Sequence, residues 1–259
     1  MTLNAGCILI TGGASGIGAA VAERFRQIGE NVVIADRRLD ASQTAAPENN
    51  AHAYLLDIGE QDEVAAVVSE IERDISPIKT LVNCAGPLQK TDRPEDLTMT
   101  AWDRITNVHL RGTYMVTVAV GTRMAQRRAG SIVTVASVMG MRSGPLHAYG
   151  PAKAALINLS EGLAAEWGPQ NVRVNTVSPG FVQTPALAKG LRSEVLLKER
   201  LERSSALGRL VTADEIANAI LFLASDQASA ITGCNLPVDA GYLVTGSWNA
   251  YGGLRGAAG

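Results

Sequence analysis

CILITGGASGIG, residues 7–18, joins an apolar run to a glycine-rich turn, and that join decides the fold. Residues 7–11 are short, apolar and without alternation, as a strand buried on both faces requires. Glycines at 12, 16 and 18 let the chain turn sharply and come close to a ligand. The helix that follows would offer its free N–H groups and positive dipole end to a phosphate. The spacing is not the G-x-G-x-x-G of the usual dinucleotide fingerprint, so alone it supports a phosphate-binding turn and leaves a ligand-free turn open.

Outward from this turn the pattern repeats. NVVIAD (31–36), AYLLD (53–57), KTLVN (79–83), SIVTVAS (131–137) and VRVNTVS (172–178) read as strands. They alternate with segments of helical period such as EVAAVVSEIERD (63–74) and ADEIANAILFLAS (213–225). Apolar strands separated by crossover-length helices imply a doubly wound α/β fold, one domain over residues 1–259, with its ligand site at the carboxyl ends of the strands. Asp36 ends the second strand, 18 residues past Gly18, where a carboxylate can accept hydrogen bonds from an adenosine ribose and repel a 2′-phosphate. A turn residue is the plainer reading of Asp36, and Arg37 and Arg38 beside it could instead grip such a phosphate. Residues 185–205 interrupt the alternation. Their Leu187, Leu191, Val195, Leu196 and Leu201 among many charges predict an amphipathic, mobile lid over a substrate.

Composition excludes several classes of function. The 259 residues are 46% hydrophobic and 19% charged with a net charge of -2, which suits an ordinary soluble globular protein and gives no electrostatic footprint for nucleic acid. No apolar run reaches the roughly 18 residues of a membrane span and the N-terminus lacks a basic leader, so a cytoplasmic protein is expected. Cys7, Cys84 and Cys234 are widely spaced and read as small buried residues. With His52, His109 and His147 they form no metal motif.

HAYGPAKAAL (147–156) places Tyr149 and Lys153 one turn apart on one helical face, and Pro151 requires the helix to start near Tyr149. The spacing alone fits a solvated helix edge as well as a proton-transfer pair. Ser137, 12 residues before Tyr149, ends a strand and can hydrogen-bond a substrate oxygen. A phenol titrates near 10, so a base at neutral pH needs a cation beside it, which Lys153 would supply.

Taken in order, TGGASGIG (11–18), Asp36, Asp57, NCAG (83–86), Ser137, YGPAK (149–153), SPGFVQT (178–184) and ITGCNLPVDAG (231–241) resemble the short-chain dehydrogenase/reductase family from residue 5 to about 245. The resemblance implies a Rossmann-type sheet that binds NAD or NADP. It also implies a Ser137–Tyr149–Lys153 centre that moves a hydride and a proton between an alcohol and a carbonyl. Gly12, Ser15, Gly16, Ile17 and Gly18 would then meet the phosphates, Asp36 the ribose, and Asp57 and Ile58 the adenine. Asn83, Ala85 and Gly86 would meet the centre of the cofactor, and Pro179, Gly180, Val182 and Thr184 its nicotinamide, with Lys153 also on the ribose. Asp36 points to NAD over NADP. A homotetramer is the family expectation, with the aromatic tail at about 246–259 covering a subunit interface.

The chain departs from the pattern at Cys84, where a second Asn is usual, at VDAG in place of VDGG, and at His109. Many members carry a catalytic Asn three residues before the glycine matching Gly112, holding a proton-relay water, and here that residue is His109. Asn107, two residues earlier, points to nearly the opposite side of a helix. Either the main-chain carbonyl at 109 holds the water, or the imidazole joins the relay and its protonation shapes the pH dependence. Pro87, Leu88, Met139, Met141, His147, Ala186, Leu187 and Leu191 are the candidate substrate wall, with Leu88, Met139, His147 and Leu187 foremost. They suit a small or medium secondary alcohol or ketone, and His147 and Gln183 leave a polyol open. An NADPH-dependent 3-oxoacyl reductase is the main alternative, and a dinucleotide sensor without catalysis a more distant one.

Overall fold

The computed structural model describes residues 6–40, 51–192 and 197–254. Seven parallel strands form its main sheet: β1 (Cys7–Thr11), β2 (Asn31–Asp36), β3 (Ala51–Leu55), β4 (Ile78–Asn83), β5 (Gly130–Val135), β6 (Val172–Pro179) and β9 (Asn235–Val238). Their spatial order is β3-β2-β1-β4-β5-β6-β9. The chain therefore runs outward from β1 to β3, then returns to lay β4 on the other side of β1. At that reversal the connections diverge to opposite faces and open a crevice beyond the carboxyl ends.

The helices are α1 (Gly16–Gln27), α2 (Gln61–Asp74), α3 (Met99–Thr106), α4 (Thr113–Arg127), α5 (Tyr149–Trp167), α6 (Pro185–Arg192), α7 (Lys198–Arg203), α8 (Ala213–Ala224) and α9 (Tyr242–Thr245). A π-helical turn, Asn107–Gly112, links α3 to α4. The strands read as unbroken apolar runs because successive residues serve different layers. Ile8 and Ile10 join Val21 and Phe25 of α1 and Ile216 and Ile220 of α8. Leu9 joins Val68 and Ile71 of α2 and Val116 and Val120 of α4 on the other face. Burial of both faces keeps a parallel sheet in register. The helix that closes the first layer is capped at both ends. Thr212 and Glu215 form a reciprocal capping box at the start of α8. The Arg173 guanidinium donates to the carbonyls of Leu223, Ala224 and Ser225 at its end.

Several elements differ from the sequence expectation: β5 ends at Val135, so Ser137 lies two residues beyond the strand it was expected to end and opens the turn that follows. β3 ends at Leu55, two residues before the expected end, so Asp57 lies in the turn beyond it. β9 has no counterpart among the expected strands, because four residues containing Pro237 carry little signal, yet it pairs with β6 at the sheet edge. The 185–205 segment forms α6 and α7, with Val195 and Leu196 outside the described residues. Its two ends are joined by a pair of two-residue strands, β7 (Val182–Gln183) and β8 (Val211–Thr212). The cysteines are also less uniform than expected, with Cys7 buried and Cys84 and Cys234 half-buried.

A Cβ on Gly18 would run into the carbonyl oxygen of Gly12, with backbone on both sides and nothing flexible to yield. Gly18→Ala should cost about 1–3 kcal/mol, as overpacking does elsewhere. Urea unfolding reads the loss directly, and an unchanged midpoint would contradict this packing.

Candidate active site

The carboxyl ends of β1, β2, β4, β5 and β6 supply the site. After β1, Gly12 and Gly16 take left-handed backbone conformations (φ +67° and +55°). A Cβ on Gly12 would stand 2.7 Å from Cα of Ala85, so the turns after β1 and β4 touch where only hydrogen fits. Helix α1 starts at Gly16 with Ser15 as its N-cap, yet no side chain caps it and its first turn holds no acidic residue. A positive helix end without an internal counter-charge, fronted by glycines, fits a pyrophosphate. The Asp36 carboxylate closes one side, accepting hydrogen bonds from the Ala14 and Arg38 N–H groups at 3.2 Å each.

Other expected cofactor residues divide into two groups. Thr184 lies over the turn, its methyl 3.7 Å from where a Cβ on Gly16 would stand, and its hydroxyl accepts from the Leu187 N–H at 3.2 Å. Gly180 lies against Asp239, where an added Cβ would approach Cα to 2.8 Å, directly after Pro179. The Asp57 carboxylate accepts from the Gly59 N–H at 2.9 Å. The side chains of Ile58, Asn83 and Val182 instead face the interior. Asn83 donates to Thr117 and Thr134 at 2.9 and 3.1 Å, beneath the loop that carries Ala85 and Gly86. These three can meet a ligand only through their backbone. Cys84 is inert there, since burial pushes its thiol up to about 12.

Three of the expected site residues, Ser137, Tyr149 and Lys153, follow β5. Tyr149 is the first residue of α5, and Lys153 follows one turn later with Nζ 5.5 Å from the phenol ring centroid. The Lys153 ammonium donates to the Val135 carbonyl at 2.6 Å. Ser137 is buried and extended, and its hydroxyl accepts from the Met139 N–H at 3.1 Å. Burial raises the Tyr149 phenol above its ordinary range and the Ser137 hydroxyl opposes it. Burial also brings the Lys153 ammonium down to about 8. The cation is thus beside the phenol as expected, yet in the protein alone burial outweighs it, and further positive charge is needed to favour phenolate. Of the expected substrate wall, Leu88 is exposed, whereas Met139, His147 and Leu187 are half-buried. Met141 is turned to the sheet edge, its sulfur accepting from Asn235 at 3.1 Å.

His109 sits in the π turn, buried, with its ring edge on Tyr149 at 5.0 Å between centroids and 89° between planes. Its Nε2 is 2.8 Å from the Pro87 carbonyl. A carbonyl only accepts, so Nε2 carries the proton and Nδ1 is left as a bare, buried acceptor without a partner. Burial, with Lys153 nearby, holds the imidazole at about 3. This environment disfavours the protonated imidazole near neutrality, which weighs against one of the two sequence expectations. Asn107 lies on the other side, accepting from Arg111 at 3.3 Å. The loop after β4 adds a residue that the sequence does not single out, Gln89, whose carboxamide oxygen accepts from the Ala148 and Tyr149 N–H groups. The available signal was a helix start with no Ser, Thr, Asp or Asn to cap it.

A family model described as Enoyl-(Acyl carrier protein) reductase matches residues 12–243. The fold superposes with a TM-score of 0.87 on an oxidoreductase of the short-chain dehydrogenase/reductase family from Burkholderia thailandensis, at 35% identity, covering 95% of this chain and 96% of that one. The chain is a short-chain dehydrogenase/reductase. A Brucella melitensis 16M structure named ribose-5-phosphate isomerase is 53% identical, with a TM-score of 0.94 and 98% of both chains covered. An NAD-dependent glycerol dehydrogenase of Listeria innocua is 35% identical over 91% of this chain and 93% of its own. Short-chain dehydrogenases use nicotinamide dinucleotides, and the uncapped α1 start and Gly12–Ala85 contact suit one here.

The His109 environment sets a pH dependence of stability. The unfolded chain takes up a proton on this imidazole below about pH 6.5, and the folded chain does so only below about 3. Stability should therefore fall between these values by up to about 1.4 kcal/mol per pH unit from this group. His109→Asn removes the contribution. Urea titrations at pH 6 and pH 4 should show a shallower loss in the variant, and parallel slopes would contradict the burial described.

Proposed function

We propose that the protein is an NAD-dependent oxidoreductase that interconverts a secondary alcohol or polyol and its ketone. The observation that carries this reading is the Ser137–Tyr149–Lys153 cluster, with the Lys153 ammonium on the Val135 carbonyl. A bound nicotinamide supplies the hydride acceptor and a positive ring. Ser137 holds the substrate oxygen, and Tyr149, ionised to phenolate by that added positive charge, takes its hydroxyl proton. Lys153, fixed by Val135, keeps a positive charge by the phenol as the proton arrives. Because both Tyr149 and Lys153 are in place, catalysis is favoured over dinucleotide sensing.

Asp36 supports NAD. Its carboxylate is tied to the turn by the Ala14 N–H, so swinging away from a 2′-phosphate would break a contact with the phosphate cradle itself. The Listeria relative supports a polyol. An NADPH-dependent acyl-carrier reductase is the alternative suggested by the description of the family model and by exposed Arg37 and Arg38. The Brucella name raises a second reading, a sugar-phosphate isomerase, which moves a proton between adjacent carbons with no net oxidation. Assays of alcohols and polyols with NAD, and of ribose 5-phosphate without any dinucleotide, separate the two. Isomerisation to the ketose without cofactor would overturn the oxidoreductase reading.

We place helices α6 and α7 as a lid over the substrate, because the Thr184 hydroxyl links the turn to the start of α6. Exposed Trp248 and Tyr251 support a tail covered by another copy in a homotetramer. Three free cysteines support a reducing, cytoplasmic setting, and among the described residues no helix is long and apolar enough to cross a membrane.

Tyr149→Phe should leave the NAD dissociation constant within about twofold while lowering kcat by about 10²–10⁴-fold, the usual worth of a positioned acid or base. Nucleotide fluorescence titration and steady-state rates check the two halves. The kcat/KM ratio should favour NAD over NADP by more than about tenfold, and Asp36→Ala should narrow it. Amide exchange across α6 and α7 should slow when cofactor and substrate bind together. Equal protection without ligand would make this segment a fixed wall.

A further inference from the structure

The first turn of α5 carries Tyr149, and its backbone donors have an uncommon partner. No local side chain caps this helix, whose N-cap residue is Ala148. The Gly150 N–H reaches the Leu146 carbonyl at 2.9 Å, and the Ala152 N–H closes on Ala148 at 3.1 Å. Pro151 has no N–H to place. The two remaining donors, Ala148 N–H and Tyr149 N–H, both go to Oε1 of Gln89, at 3.0 and 2.7 Å. Gln89 stands 60 residues before Tyr149, on the loop between β4 and α3 that also carries Ala85, Gly86 and Pro87. Two N–H donors on one atom fix the carboxamide, because only its oxygen can receive them. Its Nε2 is turned the other way and is buried without a partner.

We propose that Gln89 is a positioning residue for Tyr149, its carboxamide oxygen capping the start of α5 from the cofactor loop and so fixing where the phenol stands. This deepens the reading above and rests on Tyr149 as the proton carrier. Removing the oxygen would strand two donors at the helix start, and frayed first turns relax from the first residue inward. Tyr149 is that residue. Lys153 lies one turn deeper and is held separately by the Val135 carbonyl, so it does not depend on Gln89. The effect should fall on the chemical step, since a misplacement of about 1 Å can cost about 10²-fold in rate. It should spare dinucleotide binding, because the α1 cradle makes no contact with the Gln89 side chain among the hydrogen bonds described.

Two substitutions test this in the full-length protein. Gln89→Met keeps the length and loses the acceptor, whereas Gln89→Glu keeps an acceptor oxygen and suits the positive helix end. Gln89→Met should lower kcat by about 10- to 100-fold, leave KM and NAD affinity within about twofold, and speed amide exchange at Ala148 and Tyr149 by more than about tenfold. Gln89→Glu should restore exchange protection and most of kcat. The proposal is overturned if Gln89→Met keeps the parental kcat and exchange, if it only lowers the melting temperature while folded protein turns over normally, or if Gln89→Glu is as impaired as Gln89→Met. Should Gln89→Met not fold, Gln89→Asn, too short to reach the helix, carries the same expectations. Exchange needs no turnover, so if the parent oxidises no alcohol the proton-carrier reading falls while the exchange result still decides the capping.

Discussion

A charged amine in the interior, satisfied by one carbonyl, is the contact on which this site depends. The Lys153 ammonium has left water almost entirely, and the Val135 carbonyl at 2.6 Å is its hydrogen-bond partner among the contacts described. Such a charge is tolerable only where geometry is held tightly, and α5 is pressed against β6 and the turn after Ser137 to hold it. That packing fixes the phenol over Lys153, and the burial that fixes it also lowers the ammonium to about 8. A cation this close to losing its proton can answer to a change of charge beside it.

Much of this was legible in the sequence because the decisive spacings are local. Gly12, Gly16 and Gly18 lie within one turn, Tyr149 and Lys153 within one helical face, and Ser137 and Asp36 at the ends of apolar runs. What escaped was non-local or weakly patterned. β9 exists because β6 offers it an edge, not because Asn235–Val238 has strong strand character. The role of Gln89 depends on a meeting across 60 residues, and no periodicity announces that. His109 was visible as a departure from a family pattern. Its protonation state was not, since that follows from the Pro87 carbonyl and from burial.

The π turn explains how these non-local contacts converge. An extra residue in the helical ladder between α3 and α4 turns the His109 ring onto Tyr149, and a Cβ at Gly86 would overlap that ring. Gly86 is thus required for packing by the same imidazole that binds the next residue's carbonyl. The loop from 83 to 89 is held from three directions: by Thr11 through the Ala85 N–H, by His109 through Pro87, and by α5 through Gln89. One short loop therefore links the glycine-rich turn after β1 to His109 and the start of α5.

The β7–β8 pair has a different consequence. Its strands lie side by side, with Val182 opposite Val211 and the Val211 N–H on the Phe181 carbonyl at 2.9 Å, so the chain leaves the sheet and returns at nearly the same point. Closing a loop between fixed ends grows only slowly with length, by about 0.6 kcal/mol for each doubling. Whatever lies between them can lengthen, shorten or change sequence with little effect on β6 or α8. Descent from such a scaffold can revise this excursion one change at a time, while the sheet and the glycine-rich turn after β1 are inherited intact.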